Sequence, residues 1–292
     1  MMNNQKDFAV FILTHGRPDR VYTKHSLRRS GYTGIIYYVI DNEDNTSNEY
    51  FEQYGEDVIV FDKKYFASQT DEMDNFDDRR TTTHARNAIF EIAKKMKIKY
   101  FVQLDDDYTS FLFRTDNQGQ YKISPIKNGL DRIFDSMIQF LKTTPIKSIA
   151  FAQGGDFIGG SQNPMATSPT LKRKCMNSFF CSTERPIKFI GRQNEDVNTY
   201  VIGATRGDLF VTFPLISLNQ KATQTNEGSI TDAYKQYGTY VKSFYTVMIA
   251  PSCTKISMLH TENKRVHHQI NWANAAPVIL NEKHQSKKSE KQ

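Results

Sequence analysis

An apolar segment at residues 100–104 ends in three consecutive carboxylates, Asp105, Asp106 and Asp107. Like charges repel, so a fold that keeps three acidic side chains together is expected to bind something positive there. Asp105 and Asp107 are two residues apart, so their side chains can share one side at the end of a strand. Carboxylate and phosphate oxygens are the ligands that Mg2+ and similar cations take. The triplet therefore predicts a divalent cation bridged to a diphosphate, with a solvated acidic turn as the alternative.

A helix is predicted just before this strand, over residues 81–93. Ile89, Ile92, Ala93 and Met96 recur at three- and four-residue spacing, which gives one apolar face. The three threonines at 81–83 are candidates for the N-cap. The helix therefore begins with a threonine cap and carries the sequence Ala-Arg-Asn, residues 85–87, in its first turns.

The helix start at 85–87 and the triplet at 105–107 together resemble glycosyltransferases of the A-type (GT-A) fold, which carry an Ala-Arg-Asn helix and an Asp-x-Asp metal motif. The resemblance implies a UDP-sugar-dependent enzyme that uses Mn2+ or Mg2+. It implies Asp107 as the direct metal ligand, Asp105 as a ligand of the metal or the ribose, and Asp106 near the sugar. A C-terminal histidine is implied as a further ligand, with His260 first and His267 second.

The same resemblance implies contacts to the nucleotide at the ends of other strands. Thr14 and Arg17 would hold the uracil and the pyrophosphate, and Asp41 the base or ribose. Arg86 would brace the base or the acidic triplet, and Lys264 would clamp the diphosphate. Ordinary capping of strand ends is the alternative for Thr14 and Asp41.

The acceptor side is implied by Glu195 and Asp196, which resemble the Glu-Asp motif that opens a helix facing the sugar. In inverting enzymes one such carboxylate removes the proton from the acceptor hydroxyl, and Asp196 is the first candidate, Glu195 the second. The alternative is that both acids only favour a helix N-terminus. A retaining enzyme would need no simple base.

A basic segment leads into this motif, and its cations are accompanied by the aromatic residues Phe179, Phe180 and Phe189. Cations with interleaved aromatics suit a phosphate backbone and a stacked base. The predicted DNA contacts are Lys172, Arg173, Lys174 and Arg192. A solvated loop with a few buried phenylalanines is the alternative.

Residues 11–18, the triplet and the late histidine-rich segment resemble the phage glycosyltransferases associated with TET/JBP-type DNA modification. The resemblance implies transfer of a sugar to 5-hydroxymethylcytosine in double-stranded phage DNA. Two other functions stay open. One is a glycosyltransferase acting on a surface saccharide or protein, and the other is a non-catalytic DNA-binding module with the same fold.

Strands predicted at 8–13, 35–40, 57–61 and 100–104 alternate with helices, which predicts an α/β, Rossmann-like, mostly parallel mixed sheet with flanking helices. Residues 62–80 are interpreted as a mobile loop. A hairpin at 110–123, helices at 130–141 and 231–247, and strands at 149–152 and 254–259 follow. We expect one GT-A-like domain over 1–280, with a nucleotide-sugar half at 7–152, an acceptor half at 153–280 and a disordered basic tail at 281–292.

Composition limits the class of protein. Among 292 residues with a net charge of +6, no apolar run reaches the roughly 20 residues that cross a bilayer. The first residues show no cationic stretch followed by an apolar one, so secretion is not expected. Three cysteines without metal spacing are interpreted as reduced thiols. A cytoplasmic protein is therefore expected, in the host cell if the chain is encoded by a phage. The charge is a mild bias toward anionic partners, and the oligomeric state is not predicted.

Overall fold

The computed structural model describes residues 7–157, 160–163, 178–221, 230–259 and 265–275. The strands are β1 Phe8–Leu13, β2 Ile36–Asp41, β3 Val58–Phe61, β4 Tyr100–Asp105, β5 Tyr108–Thr115, β6 Tyr121–Pro125, β7 Ser148–Gln153, β8 Ser178–Ser182, β9 Phe210–Gln220, β10 Thr254–Leu259 and β11 Arg265–Ile270. The helices are α1 Tyr22–Arg29, α2 Ser47–Tyr54, α3 Lys63–Gln69, α4 Thr83–Lys95, α5 Leu130–Thr143, α6 Glu195–Thr205, α7 Ile230–Ile249 and α8 Trp272–Ala275.

Nine of these strands form one sheet in the order β3-β2-β1-β4-β8-β7-β9-β5-β6. Only β8 and β5 run against the other seven. The prediction of a mixed, mostly parallel α/β sheet is therefore confirmed. The strands β10 and β11 pair separately as an antiparallel ribbon.

Helices cover both faces of the sheet, which explains why β1 is a continuous apolar run. Val10 and Ile12 pack into the layer that contains residues of α1, α2 and α5. Ala9 and Phe11 point the other way, into the layer that contains residues of α3, α4 and α6. Every residue of β1 is buried.

The strand order 3-2-1-4 at one end of the sheet places a topological switch point between β1 and β4. The two strands end level with each other, since Leu13 pairs with Asp105. Ligands of such sheets bind in the crevice beyond the carboxyl ends of the strands at the switch point. The loop after β1 and the acidic triplet after β4 therefore meet at the place where a ligand is expected.

The strand β8 was not predicted, and it changes the interpretation of the aromatic residues near the basic segment. It lies antiparallel between β4 and β7, in the middle of the sheet. Phe179 and Phe180 belong to it and are 1% exposed, and Phe189 packs edge-on against Phe179 with no exposure. The prediction that these rings stack on a base is wrong, because they are core residues. The strand belongs to the proposed acceptor half and pairs with β4 and β7 of the proposed nucleotide half.

The prediction of a mobile loop at residues 62–80 is wrong. Residues 63–69 form α3 instead of loop, and Asp62 caps this helix by accepting a hydrogen bond from the Tyr65 amide at 2.9 Å. The second half of the supposed loop is tied down, because the amides of Gly191 and Arg192 donate to the carbonyl oxygens of residues 71 and 72. The strand β11 was also missed.

Several predicted features lie outside the described residues: Lys172, Arg173, Lys174, His260, Lys264 and the tail at 281–292. Cys181 and Cys253 are buried free thiols, as predicted, and Cys175 is outside the described residues. In the described part of the chain, no helix combines the length and the apolar character needed to cross a membrane.

Candidate active site

The acidic triplet is held by the first turn of α1. The Thr23 amide donates to the carbonyl oxygen of Asp106 at 3.1 Å, and the Thr23 hydroxyl donates to that of Asp105 at 2.6 Å. The same hydroxyl accepts from the Tyr108 amide at 3.0 Å. The first amides of a helix have no intrahelical partners, so the Thr23 amide is available to hydrogen-bond the backbone of the turn between β4 and β5. This contact fixes the backbone from which the three carboxylates project.

Asp106 is the anchor of the triplet and is 1% exposed. Its Oδ2 accepts from Arg17 Nε at 2.6 Å and from the Thr14 hydroxyl at 2.8 Å. The Thr14 hydroxyl is also 2.6 Å from the Tyr50 hydroxyl. Asp106 therefore braces the loop after β1, and a contact of this carboxylate with the donor sugar stays a prediction. Thr14 and Arg17 both lie at the triplet, and their contacts with the donor nucleotide stay predictions.

Asp105 is paired with a buried cation. Its Oδ1 accepts from Arg86 Nη2 at 2.8 Å, and its side chain is 23% exposed. Burial raises the pKa of Asp105 to about 6, with Arg86 opposing and the charges of Glu195 and Asp106 adding to the rise. One edge of this carboxylate is thus neutralised within the protein.

Asp107 is different, because its Oδ1 is buried without a hydrogen-bond partner. Burial, together with the neighbouring charges of Asp105 and Asp106, raises the pKa of Asp107 to about 7. A carboxylate held near like charges without a full counter-charge is the environment that a divalent cation relieves. The donor set therefore fits Mg2+ or Mn2+ at Asp107.

Further ligands must complete such a centre. In the described ranges, no three His, Cys, Asp or Glu side chains are gathered as a ready metal site. Diphosphate oxygens and water are the expected additions, and His260 stays a prediction. The other predicted histidine, His267, lies in β11 opposite Ser257.

Arg86 connects the triplet to the acceptor motif. Its guanidinium is 1% exposed and donates from Nη2 to Asp105 and from Nε to Glu195 Oε1 at 3.0 Å. It lies 5.3 Å from the ring centroid of Phe179. The Thr82 hydroxyl also donates to Glu195 Oε1, at 2.9 Å. A planar guanidinium with two carboxylate partners sets the separation of the two motifs.

The acceptor motif begins α6, and its approach has special backbone geometry. Asn194 precedes the helix with φ of 57° and donates to the Lys242 carbonyl at 2.8 Å. Gly191 has φ of +82°, and a Cβ there would lie 2.5 Å from Asn198 Nδ2. Glu195 is held by Arg86, and Asp196, which is 9% exposed, is still the first candidate for a base. That role stays a prediction.

The charge of Arg192 is neutralised by ion pairs inside the protein. Arg192 is 1% exposed, and its guanidinium donates to Asp74 at 2.7 Å and to Glu72 at 2.5 Å. The Tyr245 hydroxyl bonds to Asp74, and His84 Nε2 lies 2.7 Å from Glu72. The expectation of a DNA contact at Arg192 is corrected, since its charge is used to hold the segment before α4 against the acceptor motif.

Asp41 is also used inside the protein. It is 5% exposed, with His15 Nδ1 at 2.8 Å and Lys63 Nζ at 3.3 Å. Burial alone would raise the pKa of Asp41, but the hydrogen bond from His15 and the charge of Lys63 hold it below its ordinary value. Lys63 also lines a cavity of about 330 Å³ at this edge of the sheet. The cavity is lined by Glu43, Lys63, Phe76, Asp77, Asp78, Arg79 and Arg80.

Sequence reasoning missed several residues at the site. Thr23 and Lys63 give no signal beyond their residue type, because their partners are distant in sequence. His268 belongs to the late histidine cluster but was not singled out; it is 7% exposed, with Nδ1 3.2 Å from Asn194 Nδ2. Lys221 follows β9, and its amide donates to the Asp107 carbonyl at 3.2 Å.

Comparison with known proteins gives one family. The model of the TET-associated glycosyltransferases matches residues 8–229. No curated protein sequence matches the chain.

Two solved structures of glucosyl-3-phosphoglycerate synthase from Mycobacterium tuberculosis are similar over most of the chain. The complex with Mg2+ and UDP has 10% identity and a TM-score of 0.45, covering 92% of this chain and 89% of that one. The complex with Mn2+ and UDP-glucose has 9% identity and a TM-score of 0.45, and the match covers 92% of this chain and 88% of that one. A TM-score below 0.5 is too low for this likeness to bear on the chemistry of the present chain.

Proposed function

The chain belongs to the TET-associated glycosyltransferase family, and from this membership we propose that it transfers a sugar from a UDP-sugar to 5-hydroxymethylcytosine in double-stranded DNA. In this reaction the hydroxymethyl oxygen bonds to the anomeric carbon of the donor. The bond from that carbon to the diphosphate breaks, and UDP leaves with the bonding electrons. The hydroxyl proton passes to a base on the protein or to the leaving diphosphate.

Asp107 is the residue proposed to hold Mn2+ or Mg2+, with Asp105 beside it. A bound cation would act as a Lewis acid and neutralise the charge that grows on the departing diphosphate. The buried, unpaired Oδ1 of Asp107 at the switch point between β1 and β4 is the observation that carries the proposal. Arg17, which is held by Asp106, is proposed to bind the same diphosphate.

The nucleoside of the donor is proposed to occupy the cavity beside Asp41. Lys63 pairs with Asp41 and lines this cavity, and the volume of about 330 Å³ is at the lower end of small-molecule sites. Arg79 also lines the cavity, and its Nη2 donates to Glu43 Oε1 at 2.7 Å. The nucleoside would then lie at the ends of β2 and β3, and the diphosphate at the ends of β1 and β4.

Asp196 is proposed as the base if the transfer inverts the anomeric configuration. Its neighbour Glu195 is held by Arg86 and would fix the start of α6. General-base assistance contributes roughly 10²–10⁴-fold to such a reaction. The target base must leave the duplex to reach the site, which costs a few kcal/mol.

The direct test is incubation with UDP-glucose or a UDP-pentose, Mn2+ and a duplex that contains 5-hydroxymethylcytosine. Digestion to nucleosides and mass spectrometry should show a hexosyl or pentosyl adduct on the modified base. The matched duplex with cytosine, an EDTA sample and the Asp107→Asn variant should show none.

Failure to form an adduct with any common donor would refute the DNA acceptor. If saccharide or protein acceptors were glycosylated instead, the alternative glycosyltransferase function would stand. Those acceptors should therefore be included in the same assay.

A further inference from the structure

Arg114, in β5, is a buried cation that the reaction above does not use. It is 7% exposed, and Nε donates to the Ser217 hydroxyl at 2.6 Å. Its Nη1 donates to the Tyr121 hydroxyl at 3.2 Å, and the guanidinium carbon lies 4.4 Å from the ring centroid of Phe157. These three partners are neutral. Within the described ranges, no carboxylate forms an ion pair with Arg114.

The contrast with the other buried arginines shows how unusual this is. Arg86 is paired with Asp105 and Glu195, and Arg192 is paired with Glu72 and Asp74. Taking a charge out of water costs several kcal/mol, which is recovered only by an opposite charge and good hydrogen bonds. Hydroxyl groups and one aromatic face recover part of this cost at Arg114. An anion would recover the rest.

The surroundings of Arg114 extend to the neighbouring strands. Ser217 in β9 pairs with Ala152 in β7, so these two side chains share one face of the sheet. The chain after β7 turns into residues 154–157, and Phe157 covers the guanidinium. Hydroxyl groups and an aromatic ring therefore enclose Arg114, and they supply no counter-charge.

Position separates this centre from the donor diphosphate. Arg114 follows Asp107 by seven residues along β5 (114 − 107), a path on the order of 20 Å in an extended strand. A diphosphate at Asp107 cannot reach that far. A polynucleotide can, because phosphates of one strand recur about every 3.4 Å along the duplex axis.

We propose that Arg114 is a phosphate-binding subsite that holds a backbone phosphate of the nucleic-acid acceptor. This inference rests on the proposed DNA acceptor. A guanidinium presents paired N–H donors that match two phosphate oxygens, and such charge-assisted bonds are stronger than neutral ones. The contact would set the register of the acceptor strand and carry no base specificity.

The test uses the full chain in EDTA, so that no metal-dependent diphosphate binding contributes. Thermal unfolding is measured with and without inorganic phosphate for the wild type, Arg114→Met and Arg132→Met, the last removing an exposed arginine on α5. Phosphate should raise the Tm of the wild type and of Arg132→Met but not that of Arg114→Met. Without phosphate, Arg114→Met should unfold at or above the wild-type Tm, since it no longer buries an unpaired charge.

The second arm measures binding of a short duplex over a range of salt. Losing one phosphate contact should lower the slope of log K against log salt by about 1 in Arg114→Met and leave Arg132→Met unchanged. Affinity for UDP with Mn2+ should not change in either variant. If Arg114→Met does not fold, Arg114→Lys replaces it, with a partial loss of phosphate stabilisation expected.

Equal stabilisation of Arg114→Met and wild type by phosphate would overturn the subsite. A different result is that phosphate fails to raise the Tm of Arg114→Met while its duplex affinity and the slope of log K against log salt stay as in the wild type. The site would then bind free phosphate, and the assignment to the acceptor would be wrong. If no hydroxymethylated DNA were glycosylated while the phosphate effect persisted, the proposed function would fail and the anion site would remain.

Discussion

Replacing Asp107 by Asn should make the metal-free protein more stable at neutral and alkaline pH. In the folded protein, burial and the charges of Asp105 and Asp106 raise the pKa of Asp107 from 3.8 to about 7. A difference of three pH units corresponds to at most about 4 kcal/mol. Because the side chain is partly exposed to solvent, we expect about 2 kcal/mol.

The pH dependence has a definite sign. The folded protein holds the Asp107 proton more tightly than the unfolded chain, so this group costs no stability below about pH 4. The cost grows as the pH rises and is complete above about pH 7. The advantage of Asp107→Asn should therefore be largest near pH 8 and close to zero near pH 4.

The assay is urea unfolding in EDTA across this pH range, with the exposed Asp57→Asn as the matched control. In parallel, calorimetric titration with UDP and Mn2+ should show at least about a 100-fold loss of metal-dependent binding in Asp107→Asn, since a direct ligand matters at least as much as its supporting groups. Asp57→Asn should leave both measurements unchanged. If Asp107→Asn were less stable than the wild type at pH 8, or still bound UDP in a Mn2+-dependent way, Asp107 would not be the uncompensated metal ligand.

Three other substitutions test the rest of the site. Arg86→Met removes the counter-charge of Asp105 and Glu195 and should lower the free energy of unfolding in urea by about 3–5 kcal/mol. The exposed Arg132→Met should change it by less than about 0.5 kcal/mol. Similar values for the two variants would show that Arg86 does not bridge these carboxylates. Asp196→Asn should lower kcat by roughly 10²–10⁴-fold with unchanged UDP affinity. Glu195→Gln should mainly lower stability, because Glu195 is held by Arg86. A normal kcat in Asp196→Asn would exclude Asp196 as the base. Arg192→Met should lower the free energy of unfolding by about 3 kcal/mol and leave the salt dependence of DNA binding unchanged. If the slope of log K against log salt fell by about 1, Arg192 would contact a DNA phosphate after all.

Apolar runs made the nucleotide side of the fold predictable. Strands such as β1 and β4 are covered by helices on both faces, and that burial leaves a continuous hydrophobic signature in the sequence. The amphipathic face of α5 was equally clear, since Leu130, Phe134 and Met137 are buried at the expected spacing. Local pattern is enough where one element meets one continuous core.

The strand β8 could not be found in this way. It is five residues long, and its position between β4 and β7 depends on pairing with residues far away in the sequence. Its phenylalanines follow a basic run, so composition suggested a binding surface. Only the sheet pairing shows that Phe179 and Phe180 are core residues.

The positions of charges were the least predictable part of the site. Asp105, Asp106 and Asp107 are the same residue type in a row, yet Arg86 and Arg17 neutralise the first two and leave the third. Neither arginine is adjacent in sequence to the carboxylate that it neutralises. Pairing of this kind is decided by tertiary packing, so the sequence located the acidic site without showing which carboxylate is uncompensated.

The central claim is that a cation binds between Asp107 and the donor diphosphate. Anomalous diffraction at the manganese absorption edge, from crystals grown with UDP and Mn2+, tests it most directly. We predict one strong peak that touches the Asp107 carboxylate and oxygens of both phosphates, with Asp105 beside it. An absent peak, or one at another acidic group such as Glu72 and Asp74, would contradict the account.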